Sequence, residues 1–441
     1  MSALDFGARG MAMQARAAAE RLPSLNTPAL LALAQGQQRP VDLVCIGDSV
    51  QLFNGYGWDA ALTRAFAEDA DFGIWASPLW PQNAAGNQYN NQGYLMSGLS
   101  GATGVQTGAD AAFSDLRLPD ASYLYTASGA IGGANGCIIS QDGPISTNAA
   151  MRYHVYYGTF DSGSGSFRLG ARMEASPYTS LGVDGATIST NTGAKGDAKT
   201  SIDLPASTRA HSVGFKLQRA TASVGPTIFL AQRVQDLGKT KGVSVHSFYA
   251  RGGQSLWDMA AFFQGDVTDT VGDAVTAARM MWGFGKLREL QIAMGHKPII
   301  VVRICSGLND RGETSTPSRG DLAYAGSASS ALAYGDNLNG LIDAIESAWE
   351  ARGWPLDELF FHVLTSYPVG SSDDMGGYRS GARMISRTRA RCSFTDLNIL
   401  VPYADTAANS GLADTIHPTN AWTDEMARRE VALIPAIEVG A

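Results

Sequence analysis

Between residues 118 and 237 the apolar side chains recur with a period of two, and on either side of that block they do not. Phe167, Leu169, Ala171 and Met173 alternate with Arg168, Gly170, Arg172 and Glu174. Val213, Phe215 and Leu217 alternate with Gly214, Lys216 and Gln218. Shorter strands are expected at 123–126, 137–141, 152–157, 201–204 and 227–232, separated by clusters of Gly, Ser, Asn and Asp. Many short strands at regular spacing predict a β-sandwich or jelly roll. Such a block should build its core from its own alternating strands.

The flanks read differently. Residues 41–46 read as a buried strand, with Leu43, Val44, Cys45 and Ile46 consecutive and apolar. That suits a central parallel strand covered on both faces. Further strands are expected at 71–76, 243–249, 298–304, 359–364 and 397–401. Helices are expected at 58–67, 255–264 and 268–293, and from about 421 onward. Leu338, Leu341, Ile342, Ile345 and Trp349 at helical spacing predict another, capped by Asp336 or Asn337. Strands alternating with helices imply a parallel sheet with helices on both faces. The expected fold is therefore α/β, a three-layer α/β/α domain with an inserted all-β domain. The expected boundaries are an N-terminal helical arm at 1–37, a discontinuous α/β domain at 38–117 and 238–441, and the β insert at 118–237. Carbohydrate binding is the role expected of the insert.

Composition narrows the function. The 441 residues are 45% hydrophobic and 17% charged, ample for a large core. A net charge of −8 with no basic run argues against a nucleic-acid partner. No apolar window approaches the length of a membrane span. The first residues, MSALDFGARG, carry Asp5 and no apolar stretch, so no secretory signal is expected there. Export by another route, or a place in a virus particle, would leave no such mark, and localisation stays open. Cys45, Cys137, Cys305 and Cys392 lie far apart, and the six histidines form no HxH or HExxH pair. Neither a metal site nor a cofactor is expected.

The chemistry-bearing residues sit where expected strands end. Ser49 follows the strand at 41–46, Gly252 and Gly253 follow 243–249, and Asn309 follows 298–304. Asp414 and His417 lie near the C-terminus. Acyl transfer at neutral pH needs a hydroxyl nucleophile, a base, a group that orients the base, and donors for an oxyanion. The chain offers all four. Each motif also has a plain structural meaning: Gly-Asp-Ser and Gly-Gly as turns, Asp414 as a cap, Asn309 as a left-handed turn residue. Their order, each at an expected strand end or near the C-terminus, carries the assignment. His154, His211, His246, His296 and His362 read as structural or surface residues. Trp422 and Tyr367 could line a pocket or fill the core.

Gly47-Asp48-Ser49, Gly252-Gly253, Gly307-Leu308-Asn309-Asp310 and Asp414-x-x-His417 resemble the four ordered blocks of the SGNH, or GDSL, hydrolases. The resemblance covers about 38–76 and 242–437. It implies a flavodoxin-like sheet and a serine esterase. It makes Ser49, Asp414 and His417 the catalytic triad, with the oxyanion hole formed by Ser49, Gly253 and Asn309. The first block reads Gly-Asp-Ser-Val instead of Gly-Asp-Ser-Leu, and the glycine block lacks a nearby Asn. The large insert resembles arrangements in carbohydrate esterases and in phage tail proteins that deacetylate polysaccharides. The function so implied is hydrolysis of ester groups, O-acetyl above all, on a glycan. A lipase or thioesterase, or a phage tail receptor-binding protein on the same scaffold, are the alternatives. Polar stretches at 77–115 and 311–330 favour sugars over lipids. A homo-oligomer or virion component stays open, and no substrate-binding residue stands out.

Overall fold

The computed structural model describes residues 27–47, 58–81, 94–97, 124–126, 137–141, 150–162, 165–174, 182–206, 212–219, 227–250, 255–265, 267–268, 274–306, 310, 331–365, 376–397 and 418–435. The first described elements are helix α1 (Pro28–Ala34), strand β1 (Pro40–Gly47) and helix α2 (Trp58–Glu68). Ten strands follow: β2 (Trp80–Pro81), β3 (Tyr94–Ser97), β4 (Leu124–Thr126), β5 (Cys137–Gln141), β6 (Met151–Thr159), β7 (Ser166–Glu174), β8 (Gly182–Ser189), β9 (Gly196–Leu204), β10 (Ser212–Arg219) and β11 (Thr227–Asp236). The α/β alternation returns with β12 (Gly242–Ala250), α3 (Leu256–Gln264), the small hairpin β13 (Val267–Thr268) and β14 (Ala274–Val275), and α4 (Ala277–Ala293). It ends with β15 (Ile300–Ser306), α5 (Ala331–Glu350), β16 (Leu359–Thr365), α6 (Gly376–Thr388), β17 (Cys392–Asp396) and α7 (Asn420–Val431).

A parallel sheet of order β12-β1-β15-β16-β17 forms the centre. Numbered by themselves, its strands run 2-1-3-4-5, one of the two common doubly wound orders. Its faces are sorted by the pleat. Val41, Leu43, Cys45, Val243, Val301 and Cys305 pack with Leu33 of α1, Leu62 and Phe66 of α2, and Met426 and Val431 of α7. Val44, Ile46, Val302, Ile304 and Phe361 pack with residues of α3, α4, α5 and α6 on the other face. Every residue of β1 is buried, as a strand covered on both sides requires.

The intervening strands make two antiparallel sheets, ordered β3-β5-β10-β7-β8 and β2-β11-β6-β9, with β4 also paired to β11. They meet face to face: the Tyr157 ring of β6 lies edge-on to Phe167 of β7, with centroids 5.0 Å apart. Among the described residues the core of these sheets is continuous with that of the parallel sheet. Tyr153, Val155, Phe167 and Leu169 share one hydrophobic cluster with β1 and α2. The other face of β6 is covered too, because Tyr156 packs edge-on against Trp282 of α4. β6 and β11 thus form an inner layer covered on both faces, with β6 almost continuously buried, while β9 at the sheet edge leaves Lys199, Ser201 and Asp203 exposed.

Several expectations need correction. No strand forms over 71–76. That segment runs irregularly along the edge of β12, where Gly73 accepts a bond from the Val243 N–H and Ala76 bonds the Ser244 hydroxyl in both directions. Gly242 permits the approach: its φ is +129°, and a Cβ there would lie 2.6 Å from the Gly73 carbonyl oxygen. Helix α5 begins well before Asp336 and Asn337, because buried Tyr334 adds an upstream turn by stacking on Tyr378 of α6. Among the described residues the last strand is β17, and Leu397 lies just beyond it; the rest of the strand expected at 397–401 falls outside the described residues. β17 was hard to see because Ser393 and Thr395 are polar; both are buried, bonding Ala29 N–H and the His362 ring. α6 and β8 were not expected at all.

Candidate active site

The parallel register brings three strand ends together. Gly47, the last residue of β1, is paired with Ala250 of β12 on one side and with Cys305 of β15 on the other. Ser49 lies two residues past the end of β1, Gly253 three past β12, and Asn309 three past β15. In the sheet β1 lies between β12 and β15. This is also where the strand order reverses, the position at which open α/β sheets take ligands. β12 carries one extra residue opposite Val44–Ile46, a bulge shortly before the Gly252-Gly253 turn. Ser49, Gly252, Gly253, Asn309, Asp414 and His417 themselves all lie outside the described residues, as does Tyr367. Trp422 is half-buried and packs against the core, on the first turn of α7.

The frame around those ends is described. Asp310 is buried, and its Oδ1 accepts a hydrogen bond from the Leu256 N–H at 3.2 Å. Leu256 opens α3. Ser255 caps that helix with its hydroxyl on the Asp258 N–H, and Asp258 returns a carboxylate to the Ser255 N–H.

On the α2 and α7 face, the pleat aligns Cys45, Arg303, His362 and Ser393 in one lateral row. Arg303 makes a two-point ion pair with Glu430 of α7, at 2.7 and 2.8 Å, and lies 4.5 Å from the Trp58 ring centroid. Burial works against the Arg303 charge, but Glu430 more than offsets it, so its pKa stands above the ordinary value. Asp424, near the start of α7, pairs with Arg64 of α2 at 2.5 Å. These contacts set where α7 begins, and Thr419, two residues after His417, caps it by accepting the Trp422 N–H. Burial lowers the pKa of His362 to about 4, so the ring is neutral, with Nε2 against the Thr395 hydroxyl. Burial raises the Cys45 thiol far above its ordinary range and Cys392 to about 12, which makes both poor nucleophiles.

A second buried polar cluster lies near the opposite end of β1. Asp42 accepts from Arg233 of β11 at 2.7 Å, from the His246 ring at 2.9 Å and from Gln291 of α4 at 2.7 Å. The Leu79 N–H donates to Nδ1 of His246, so the ring proton sits on Nε2 and faces Asp42. Burial alone would raise the Asp42 carboxyl; Arg233, His246 and Gln291 outweigh it and hold it below its ordinary range. Burial lowers His246 to about 4. The sequence carried a signal for this cluster, a charged residue inside the apolar run 41–46. The partners of Asp310 and Glu430 had no local signal, since the contacts join segments 54 and 127 residues apart.

Among the described residues no group of three or more His, Cys, Asp or Glu could hold a metal, and no helix is long and apolar enough to cross a membrane.

No family model matches the sequence, and no curated protein matches it. Among solved structures the chain is similar to a family two carbohydrate esterase from Cellvibrio japonicus, at 11% identity over 72% of this chain and 93% of that one, with a TM-score of 0.29. It is similar to an acetyl xylan esterase from the rumen bacterium Butyrivibrio proteoclasticus, at 10% identity over 67% and 88% of the two chains, TM-score 0.26. A xylan-binding module, CBM15, matches at 12% identity over 33% of this chain and 89% of that one, TM-score 0.22. Likeness at these TM-scores carries no argument about activity, which rests on the chain's own residues.

Proposed function

We propose that the chain is a serine ester hydrolase of the SGNH type that removes ester-linked acyl groups, O-acetyl above all, from a polysaccharide. The observation that supports this best is the register of Gly47 with Ala250 and Cys305. It starts the segments carrying Ser49, Gly253 and Asn309 side by side at the switch point of a flavodoxin-like strand order. In this reading Ser49 Oγ attacks the acyl carbonyl while His417 takes its proton, and Asp414 holds the His417 ring in the needed tautomer. The backbone N–H groups of Ser49 and Gly253 and the amide of Asn309 stabilise the oxyanion. His417 returns the proton to the leaving sugar hydroxyl. Water, activated by the same histidine, then releases the acid from Ser49.

The substrate class follows from the polar stretches 77–115 and 311–330, which suit a sugar better than an acyl chain. The antiparallel sheets are assigned to holding the polymer, so that binding remote from the reacting bond positions the ester. In this reading 38–117 and 238–441 form the hydrolase domain, with 118–237 inserted and 1–37 as an arm. The test is covalent capture. A fluorophosphonate should add one equivalent to the protein, with the modified peptide containing Ser49. An adduct on another residue, or none, would refute the assignment.

A further inference from the structure

The hydrogen bond between Asp310 and Leu256 joins segments that leave two different strands. Leu256 starts six residues after the end of β12, and Asp310 lies four residues after the end of β15. β12 and β15 are not neighbours, because β1 lies between them. Two strand spacings, about 10 Å, separate their axes. The bond therefore links the chain leaving β12 to the chain leaving β15, the strands on either side of β1. Asp310 is 1% exposed, and its partner is the first backbone N–H of α3, at the positive end of the helix. Such a bond, from a carboxylate to a helix N-terminus in a buried place, fixes position more firmly than a neutral contact.

We propose that Asp310 is a positioning residue that sets the distance between the Gly253 N–H and the Asn309 amide. Asp310 adjoins Asn309 in sequence, and its partner lies three residues after Gly253. This rests on the esterase assignment above. Two oxyanion donors that reach the same oxygen from opposite sides of β1 need a strut between their segments, because misplacement of about 1 Å is costly to turnover. Asp310 itself touches no substrate in this account.

The test uses two independent pairs of variants in the full chain. Asp310→Ala removes the acceptor, and Asp310→Asn keeps an acceptor oxygen without the charge. Leu256→Pro removes the donor, and Leu256→Ala keeps it while losing the same side chain. Proline is tolerated at the first helical position, and Ser255 has the extended backbone (φ −86°, ψ 168°) that must precede it. On an aryl acetate, kcat should fall roughly tenfold or more in Asp310→Ala, with KM nearly unchanged and partial recovery in Asp310→Asn. Leu256→Pro should fall by a similar factor relative to Leu256→Ala. Affinity for a phenylboronic acid, whose tetrahedral adduct mimics the oxyanion, should weaken in step with kcat. A loss of fold without this pattern in the Leu256 pair would overturn the proposal, as would kcat and boronate affinity equal to those of the controls. If the wild type lacks esterase turnover, or Ser49→Ala keeps it, the esterase assignment fails and this proposal with it. If Ser49→Ala is inactive but Leu256→Pro matches Leu256→Ala, only the positioning role is overturned.

Discussion

The Arg233 guanidinium of β11, in an antiparallel sheet, lies 2.7 Å from the Asp42 carboxylate of β1, in the parallel sheet, and neither side chain is exposed. The bond crosses between the two parts of the chain. Arg233 also donates to the Ser77 carbonyl and lies 4.3 Å from the centroid of Trp75. Asp42 cannot lose this partner cheaply, because an uncompensated buried charge costs about 3–5 kcal/mol. Arg233→Met should therefore lower the unfolding free energy by about that much, and adding Asp42→Asn should recover part of it. Urea unfolding of the single and double variants measures this. A shift within about 0.5 kcal/mol, as for an ordinary surface change, would show that the pair does not hold the two parts together.

The same relationship bears on removing the insert. Deleting 118–237 takes away Arg233, Val155 and Tyr156 together and uncovers what they pack against in the parallel-sheet part, Asp42 and Trp282 among them. The truncated chain should be strongly destabilised, even with Asp42→Asn added. Recovery of a soluble, cooperatively unfolding remainder would contradict this.

Acid should unfold the protein steeply. His154, His246 and His362 are all buried, with pKa values lowered by burial to about 3, 4 and 4. Unfolded histidines titrate near 6.5, so between that value and about 4 the unfolded chain binds more protons. The stability these groups contribute is complete above about pH 6.5 and is lost as pH falls toward their folded values. Each contributes a slope of up to about 1.4 kcal/mol per pH unit in that window. Asp42, also depressed, extends the loss further down. Denaturant unfolding at stepped pH values checks this. Equal stability at pH 7 and pH 5 would contradict it.

Glu430→Gln should leave Arg303 buried without its carboxylate and loosen α7, costing about 3–5 kcal/mol. If α7 also places His417, kcat should fall by more than KM changes. A stable variant with unaltered kcat would separate α7 from the site.

The sequence made the apolar strands legible. β1, β15 and β16 announce themselves because strands covered on both faces need mostly apolar runs, and Ser49 and Asn309 are the residues expected just past two of their ends. β17 and α6 were hidden for the opposite reason. Ser393 and Thr395 satisfy their polar groups inside the core, and the large or apolar side chains that α6 buries, Tyr378, Ala382 and Ile385, are spaced among arginines, glycines and serines. The period of two in 118–237 signals strands, which the described residues of that block form, but not what covers them. A strand facing a helix layer on one side and a sheet on the other still alternates wherever small or polar residues such as His154 and Gln235 pair across it. The polar joints Asp42–Arg233, Arg303–Glu430 and Asp310–Leu256 depend on contacts remote in sequence, which no local pattern encodes.

Asn309→Ala should lower kcat about a hundredfold or more with little change in KM, because its amide acts on charge formed in the transition state. Steady-state kinetics on an aryl acetate decide it. A change confined to KM would make Asn309 a substrate-binding or turn residue.

The most direct test of the central claim is turnover by Ser49→Ala on an acetylated polysaccharide and on an aryl acetate, with folding verified by circular dichroism. The account predicts that acetate release falls to the residual rate supplied by the oxyanion hole and binding, on both substrates. A folded Ser49→Ala protein that turns over either substrate at near wild-type rate would contradict it.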